Sequence, residues 1–162
     1  MIAALALATA LLVAAIGAIW DIRSRRIPNV LCAVLAVAAL ASLVLSQGIE
    51  TAGWGFLHGL IALLAGMLLF RLGMIGGGDA KFYAAAALGI PLSEALPMLF
   101  WTSIGGLGLL LALMVTFAFK RRLDGPRDKK GRVMVPYGVA IFIGFVVTQA
   151  AKLPGLSDSL YS

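Results

Sequence analysis

The stretch that decides the fold is RLGMIGGGDAKF, residues 71–82. Three consecutive glycines run into Asp79 in the middle of a chain that is otherwise mostly apolar. A carboxylate in such surroundings needs a reason to be there, and the apolar segments on either side set the terms of the question.

Of the 162 residues 62% are hydrophobic and only 12% charged, and the mean hydropathy is +1.04. Those values lie outside the range of ordinary soluble domains and point to an integral membrane protein. A helix needs about 20 apolar residues to cross a hydrocarbon core of about 30 Å. The chain offers such runs repeatedly, broken by short polar or glycine-rich stretches, and six crossings are expected: Met1 to Trp20, Val30 to Ser46, Trp54 to Leu72, a short one from Ala80 to Ile90, Ala95 to Phe119, and Val133 to Ala151. The expected fold is therefore an all-α membrane protein forming a single six-helix domain over residues 1–162, with no room for a separate soluble domain. A cleaved signal peptide carries its positive charge ahead of the apolar run. Here the cluster DIRSRR follows the run, so the first helix is expected to be retained. Cys32, the single cysteine, has no partner for a disulfide or a paired-cysteine zinc site and reads as a packing residue.

The basic residues give an orientation. Arg23, Arg25 and Arg26 follow the first run, Arg71 and Lys81 flank the glycines, and seven more fill residues 120–132; of the 13 Lys and Arg only Lys152 falls on the other side. The opposite loops, QGIETAG and PLSE, carry none. By the positive-inside rule the basic side is cytoplasmic and both termini lie outside. The KRRLDGPRDKKGR loop serves either as a topology anchor or as a contact for anionic lipid or substrate. The net charge of +6 is thus explained by the membrane and does not argue for nucleic acid.

Five of the seven acidic residues fall in loops or tails where water solvates them; Asp21 and Asp79 do not. Asp21 directly follows the first run and Asp79 opens the fourth, so both are expected at cytoplasmic helix ends although 58 positions separate them. Ionisable groups at membrane depth are costly and usually face a bundle interior or a wet cavity. Two carboxylates that meet suit general acid and base work. Hydrolysing a peptide bond without a metal or a covalent nucleophile needs one ionised carboxylate to take a proton from water and one protonated carboxyl to polarise the carbonyl. Like charges at short range cannot both ionise, so a close pair holds one proton and titrates as a unit. Nothing in the sequence demands a metal or a cofactor. Beside this pair Gly76, Gly77 and Gly78 can take positive φ and let an extended substrate backbone approach. Asp79 itself is placed to cap the fourth helix, whose dipole favours the anion. A helix of about 10 residues spans about 15 Å, half the core, so the GMIGGG backbone is expected to be irregular at membrane depth. Taken singly, each aspartate has a plainer explanation, a helix cap for Asp79 and an interfacial ion pair for Asp21.

Two of these segments together, DIRSRRIPN from Asp21 to Asn29 and GGGDAKF from Gly76 to Phe82, resemble the paired signatures of the type IV prepilin peptidases, membrane aspartyl proteases of the GxGD class. The likeness is greatest to the short forms that serve Flp-type (tight-adherence) pili. A third stretch, VPYGVAIFIG from Val135 to Gly144, is similar to the family's Pro and Gly pattern in the last helix and brings in Pro136 and Gly138. The resemblance covers essentially the whole chain. It implies cleavage of a short basic leader from a prepilin, after a glycine, at the cytoplasmic face of the bacterial inner membrane, in the service of a pilus assembly machinery. It also implies Asp21 and Asp79 as the catalytic pair, Gly76 and Gly78 as the motif glycines with Gly77 between them, and Ile27, Pro28 and Asn29 as the turn into the second helix. Proline fits the first turn of a helix in its own right. Larger members carry an N-terminal cytoplasmic insert with paired cysteines and also methylate the new amino terminus. This chain has neither that insert nor its paired cysteines, so methylation is not expected.

Lys81 is expected either to steady the ionised aspartate or contact substrate, or to snorkel to the interface; Arg23 and Arg25 divide between topology and substrate contact. His58 lies near the outer end of the third run and is expected to bond across helices without a catalytic role. Gly55 and Gly59, and Gly105, Gly106 and Gly108, read as helix-packing faces, and Trp20, Trp54 and Trp101 as interface anchors. Two other functions compete with peptidase: a proton-coupled transporter, which calls for repeat symmetry that the two aspartate segments lack, and a non-catalytic pilus scaffold, in which the aspartates are dispensable.

Overall fold

In lipid the backbone must satisfy its own hydrogen bonds, and this chain does so with helices. The computed structural model describes residues 1–124 and 136–151. They form α1 (Ile2–Ser24), α2 (Asn29–Arg71), α3 (Gly77–Ala87), a 3-10 turn (Leu92–Glu94), α4 (Ala95–Asp124) and α5 (Tyr137–Ala150), and no strand occurs among them. Three segments, Ile2–Ser24, Asn29–Arg71 and Leu92–Thr116, are long and apolar enough to cross a membrane; α5 is apolar but shorter.

The 43 residues of α2 are not one rod. Gly48 has φ 85° and ψ 173°, a conformation essentially restricted to glycine, and there the helix folds back on itself. In a continuous helix Leu43 and Gly55 would lie about 18 Å apart. Here the Leu43 side chain sits where a Gly55 side chain would begin. The expected loop QGIETAG is therefore helical apart from this one residue, giving two arms, 29–47 and 49–71. The expected PLSE loop holds the 3-10 turn.

Between the arms lies α3, whose 11 residues span about 16 Å. It runs with the first arm, meeting Asn29 through Lys81 and Ala39 through Gly89, and against the second, meeting Gly66 at Ala80 and Gly55 and Gly59 at Leu88. Small residues let these helices close up, which is how helices associate where lipid removes the hydrophobic drive. The expected packing role of Gly55 and Gly59 follows directly, since side chains there would strike Leu43 and Leu88. Gly105 and Gly106 pack on Ile143 and Ala140 of α5, whereas Gly108 faces open space and adds nothing to that face. Cys32 is buried in the core with Leu35, Ala39, Phe82 and Phe145.

Because α3 is short, its far end stops inside the bundle and leaves carbonyls without water. Two buried side chains close it: His58 Nδ1 of α2 bonds Ile90 O at 2.9 Å, and Gln149 Nε2 of α5 donates to Gly89 O at 3.1 Å. His58 thus bonds across elements as its position suggested. The other ends of α3 and α5, together with the end of α1 and both ends of α2, gather at the opposite pole. The expected start of the last helix at Val133 and most of the basic loop 120–132 lie outside the described residues.

Candidate active site

Asp21 sits one turn from the end of α1, a helix closed by Arg25 in the left-handed conformation with φ 54°, its N–H bonded to Asp21 O at 2.9 Å. The turn that follows brings Ile27 back into the core and leads through Pro28, the cap residue, into α2. The Pro28 carbonyl accepts from the N–H groups of Leu31 and Cys32.

The Asp21 side chain is buried, 5% exposed, and accepts a hydrogen bond from Gly138 N at 2.8 Å. Gly138 is the second residue of α5, so its N–H is one of the amides that a helix N-terminus leaves unpaired, and the helix dipole adds a favourable field for an anion. A side chain at Gly138 would come within 2.9 Å of Asp21 Cβ. Glycine is required there for close approach, with no unusual backbone angle involved.

Asp79 is not the cap of α3. The cap is Gly76, and Asp79 stands three residues further, the position that the acidic half of a capping box occupies. Oδ2 of Asp79 lies 2.7 Å from where a Gly76 Cβ would be, so the glycine makes room for the carboxylate. The expectation of positive φ in the triplet is corrected: that conformation falls on Gly73, φ 73°, in the irregular stretch that follows α2, and none of Gly76, Gly77 and Gly78 adopts it. Gly77 instead passes under the Phe70 ring, 3.2 Å from a built Cβ, and Gly78 lies in ordinary contact with Ile27.

These pieces enclose one cavity of about 590 Å³, lined by Asp21, Arg25, Arg26, Ile27, Asn29, Gly76, Gly77, Gly78, Asp79, Lys81 and Tyr137. The two aspartates, 58 residues apart in the chain, share it, close enough for the Asp21 charge to act on Asp79. Asp21 is met by the amide end of α5, and Asp79 lies in the first turn of α3. Lys81 Nζ donates to Asn29 Oδ1 at 3.2 Å, tying α3 to the start of α2 across the cavity rim. Of the two arginines considered for substrate contact, Arg25 lines the cavity together with Arg26, whereas Arg23 is exposed and lies outside the lining. Pro136 is buried and caps α5. Tyr137 was overlooked in the sequence although it stands between Pro136 and Gly138, the two residues that signalled this segment. Among the described residues no three of His, Cys, Asp and Glu come together as a metal-ligand set.

A lipid-facing helical bundle with a paired-carboxylate cavity at one pole has the layout of a membrane hydrolase. The type IV leader peptidase family model matches residues 5–113, and the chain belongs to that family. It is accordingly a membrane peptidase whose substrates are prepilins. Neither the curated proteins nor the solved structures contain a match to it.

Proposed function

We propose that the chain is an aspartic endopeptidase that removes the basic leader of Flp-type prepilins, with Asp21 and Asp79 activating water. The observation that carries this reading is the sharing of one cavity by the two aspartates of a leader peptidase. The six helical segments, counting both arms of α2, alternate in direction through the bacterial inner membrane, with α3 covering only part of the depth and residues 88–94 completing its passage. Both termini lie outside and the cavity opens to the cytoplasm, the side on which the Lys and Arg residues gather.

The reaction runs as follows. The ionised carboxylate of the pair takes a proton from water, whose oxygen bonds to the scissile carbonyl carbon. The protonated partner gives its proton to the carbonyl oxygen. Collapse of the tetrahedral gem-diol breaks the C–N bond: the proton first taken from water passes to the leaving amine, and one hydroxyl proton returns to the second carboxylate, which restores the singly protonated pair. The pair holds one proton only while one member is ionised. The rate therefore falls on the acid side, where both are protonated and no base remains, and on the alkaline side, where no acid remains. Gly76, Gly77 and Gly78 give the substrate backbone access to the pair, and Lys81, Asn29 and the arginines form the rim. The new amino terminus is left unmethylated, and the product passes to a pilus assembly machinery.

The test is cleavage of a co-expressed prepilin with a Lys/Arg leader and a glycine before its apolar helix. Asp21→Asn and Asp79→Asn should each abolish the size shift while the proteins accumulate in the membrane. Persistent cleavage by either variant would refute the two-aspartate mechanism.

A further inference from the structure

A second cavity, of about 390 Å³, lies on the other side of Asp79 and Tyr137, which line both. It is a groove between the second arm of α2 and the start of α4, floored by α3 and α5. On α2 the lining recurs every third or fourth residue from His58 to Leu69, one continuous face of a helix. That face is about 16 Å long. The facing wall is a matching stripe on α4 that includes Ala95, Leu99 and Thr102. Helix α4 packs on α5 and the 3-10 turn and stands apart from α2, and only 6% of its apolar window is buried within the chain.

We propose that this groove seats the apolar helix of the prepilin immediately after the scissile bond; the inference rests on the peptidase reading above. Three features select a helix over the lipid chains that would fill any gap facing a bilayer. The groove does not end in the membrane but at Asp79, so that a chain lying in it delivers its next peptide bond to the carboxylates. Its walls carry small residues, Ala62 and Ala65 on α2 and Ala95 on α4, which is the surface a helix needs for close approach in lipid. Its length matches about ten helical residues. The basic leader, on the other side of the bond, stays at the polar rim. Sequence preference in the first turns of the mature protein is then set by the shape of this groove.

The experiment bulks the groove from each wall separately, with Ala65→Trp and Leu99→Trp. The control is Leu64→Trp, whose site is 63% exposed and outside the lining. Cleavage of a full-length prepilin in vesicles should fall about tenfold or more for the first two and stay within about twofold for the control, since small misplacements of a bound substrate cost rate steeply. In parallel, single cysteines at positions 65 and 99, in a Cys32→Ser background, are oxidised against prepilins carrying one cysteine at successive positions of the apolar helix. Crosslinks recurring every third or fourth position support the groove. Normal cleavage by both tryptophan variants, or crosslinks that are absent or uniform along the helix, would overturn it and leave the gap to lipid. Crosslinking needs no turnover, so periodic crosslinks without any cleavage would sink the peptidase chemistry alone.

Discussion

The two ends of α3 face the same problem and meet it in opposite ways. A helix of 11 residues begins at the pole where the cavity opens and stops short inside the bundle at its other end, and each end leaves backbone groups without a partner in the helix. At the far end the Gly89 and Ile90 carbonyls are closed by Gln149 and His58, side chains from two other helices, and nothing is left to react. At the near end a carboxylate, Asp79, stands in the first turn of the helix, and the neighbouring α5 presents its own free amide to a second carboxylate, Asp21. Neutral partners make a seal; charged partners beside an open cavity make a site. The carboxylate end should therefore be sensitive in activity and the carbonyl end in stability.

The largest expected effect is on activity at the carboxylate end. Asp21→Asn and Asp79→Asn each keep the size and much of the hydrogen bonding of the side chain while removing the proton chemistry. Cleavage should fall by at least about 10²- to 10⁴-fold, the usual worth of general acid–base catalysis. Measured beside membrane accumulation, a loss of protein in place of a loss of rate would make these residues structural and dissolve the contrast between the ends.

Next comes Gly138→Ala. The new methyl would sit 2.9 Å from Asp21 Cβ, so the carboxylate must shift while its chemistry is unchanged. A displacement of that order should cost about 10²-fold in cleavage. If the rate holds, Asp21 is not positioned by α5.

At the sealed end Gln149→Leu should do the reverse. It leaves the Gly89 carbonyl buried without its partner, which costs about 1–3 kcal/mol. Unfolding in detergent should be easier by that amount, whereas cleavage per folded molecule stays within about twofold of the unaltered protein. Gly48→Ala belongs with it, since φ 85° forces a strained conformation on alanine at about 1–3 kcal/mol without touching the cavity.

Much of this division was legible beforehand. Apolar runs located the helices, and their alternation already placed Asp21 and Asp79 at one pole. What was not legible depended on distances that no local pattern encodes. QGIETAG looked like a loop because it is polar, yet a helix can carry polar residues there and needs only Gly48 to turn. The triple glycine looked like irregular chain, which shifted the apparent start of α3 and made Asp79 a cap when it is the third helical residue. The partner of Asp21 lies 117 residues away and beyond the segment matched by the family, so only the assembled bundle reveals it. The apolar groove was invisible for the same reason: each wall reads as an ordinary membrane-facing stripe until the two stand opposite each other.

The smallest effect tests the middle of the molecule, between the sealed and the reactive ends. Thr102 Oγ1 is buried against Gly144 and has no hydrogen-bond partner among the described residues. An unsatisfied hydroxyl is a cost, and replacing it with a methyl of the same shape removes that cost without leaving a cavity. Thr102→Val should therefore leave stability unchanged or raise it by up to about 1 kcal/mol, opposite in sign to Gln149→Leu. A fall of similar size would mean that the hydroxyl is satisfied in the membrane, and that the middle of the bundle is sealed like its far end.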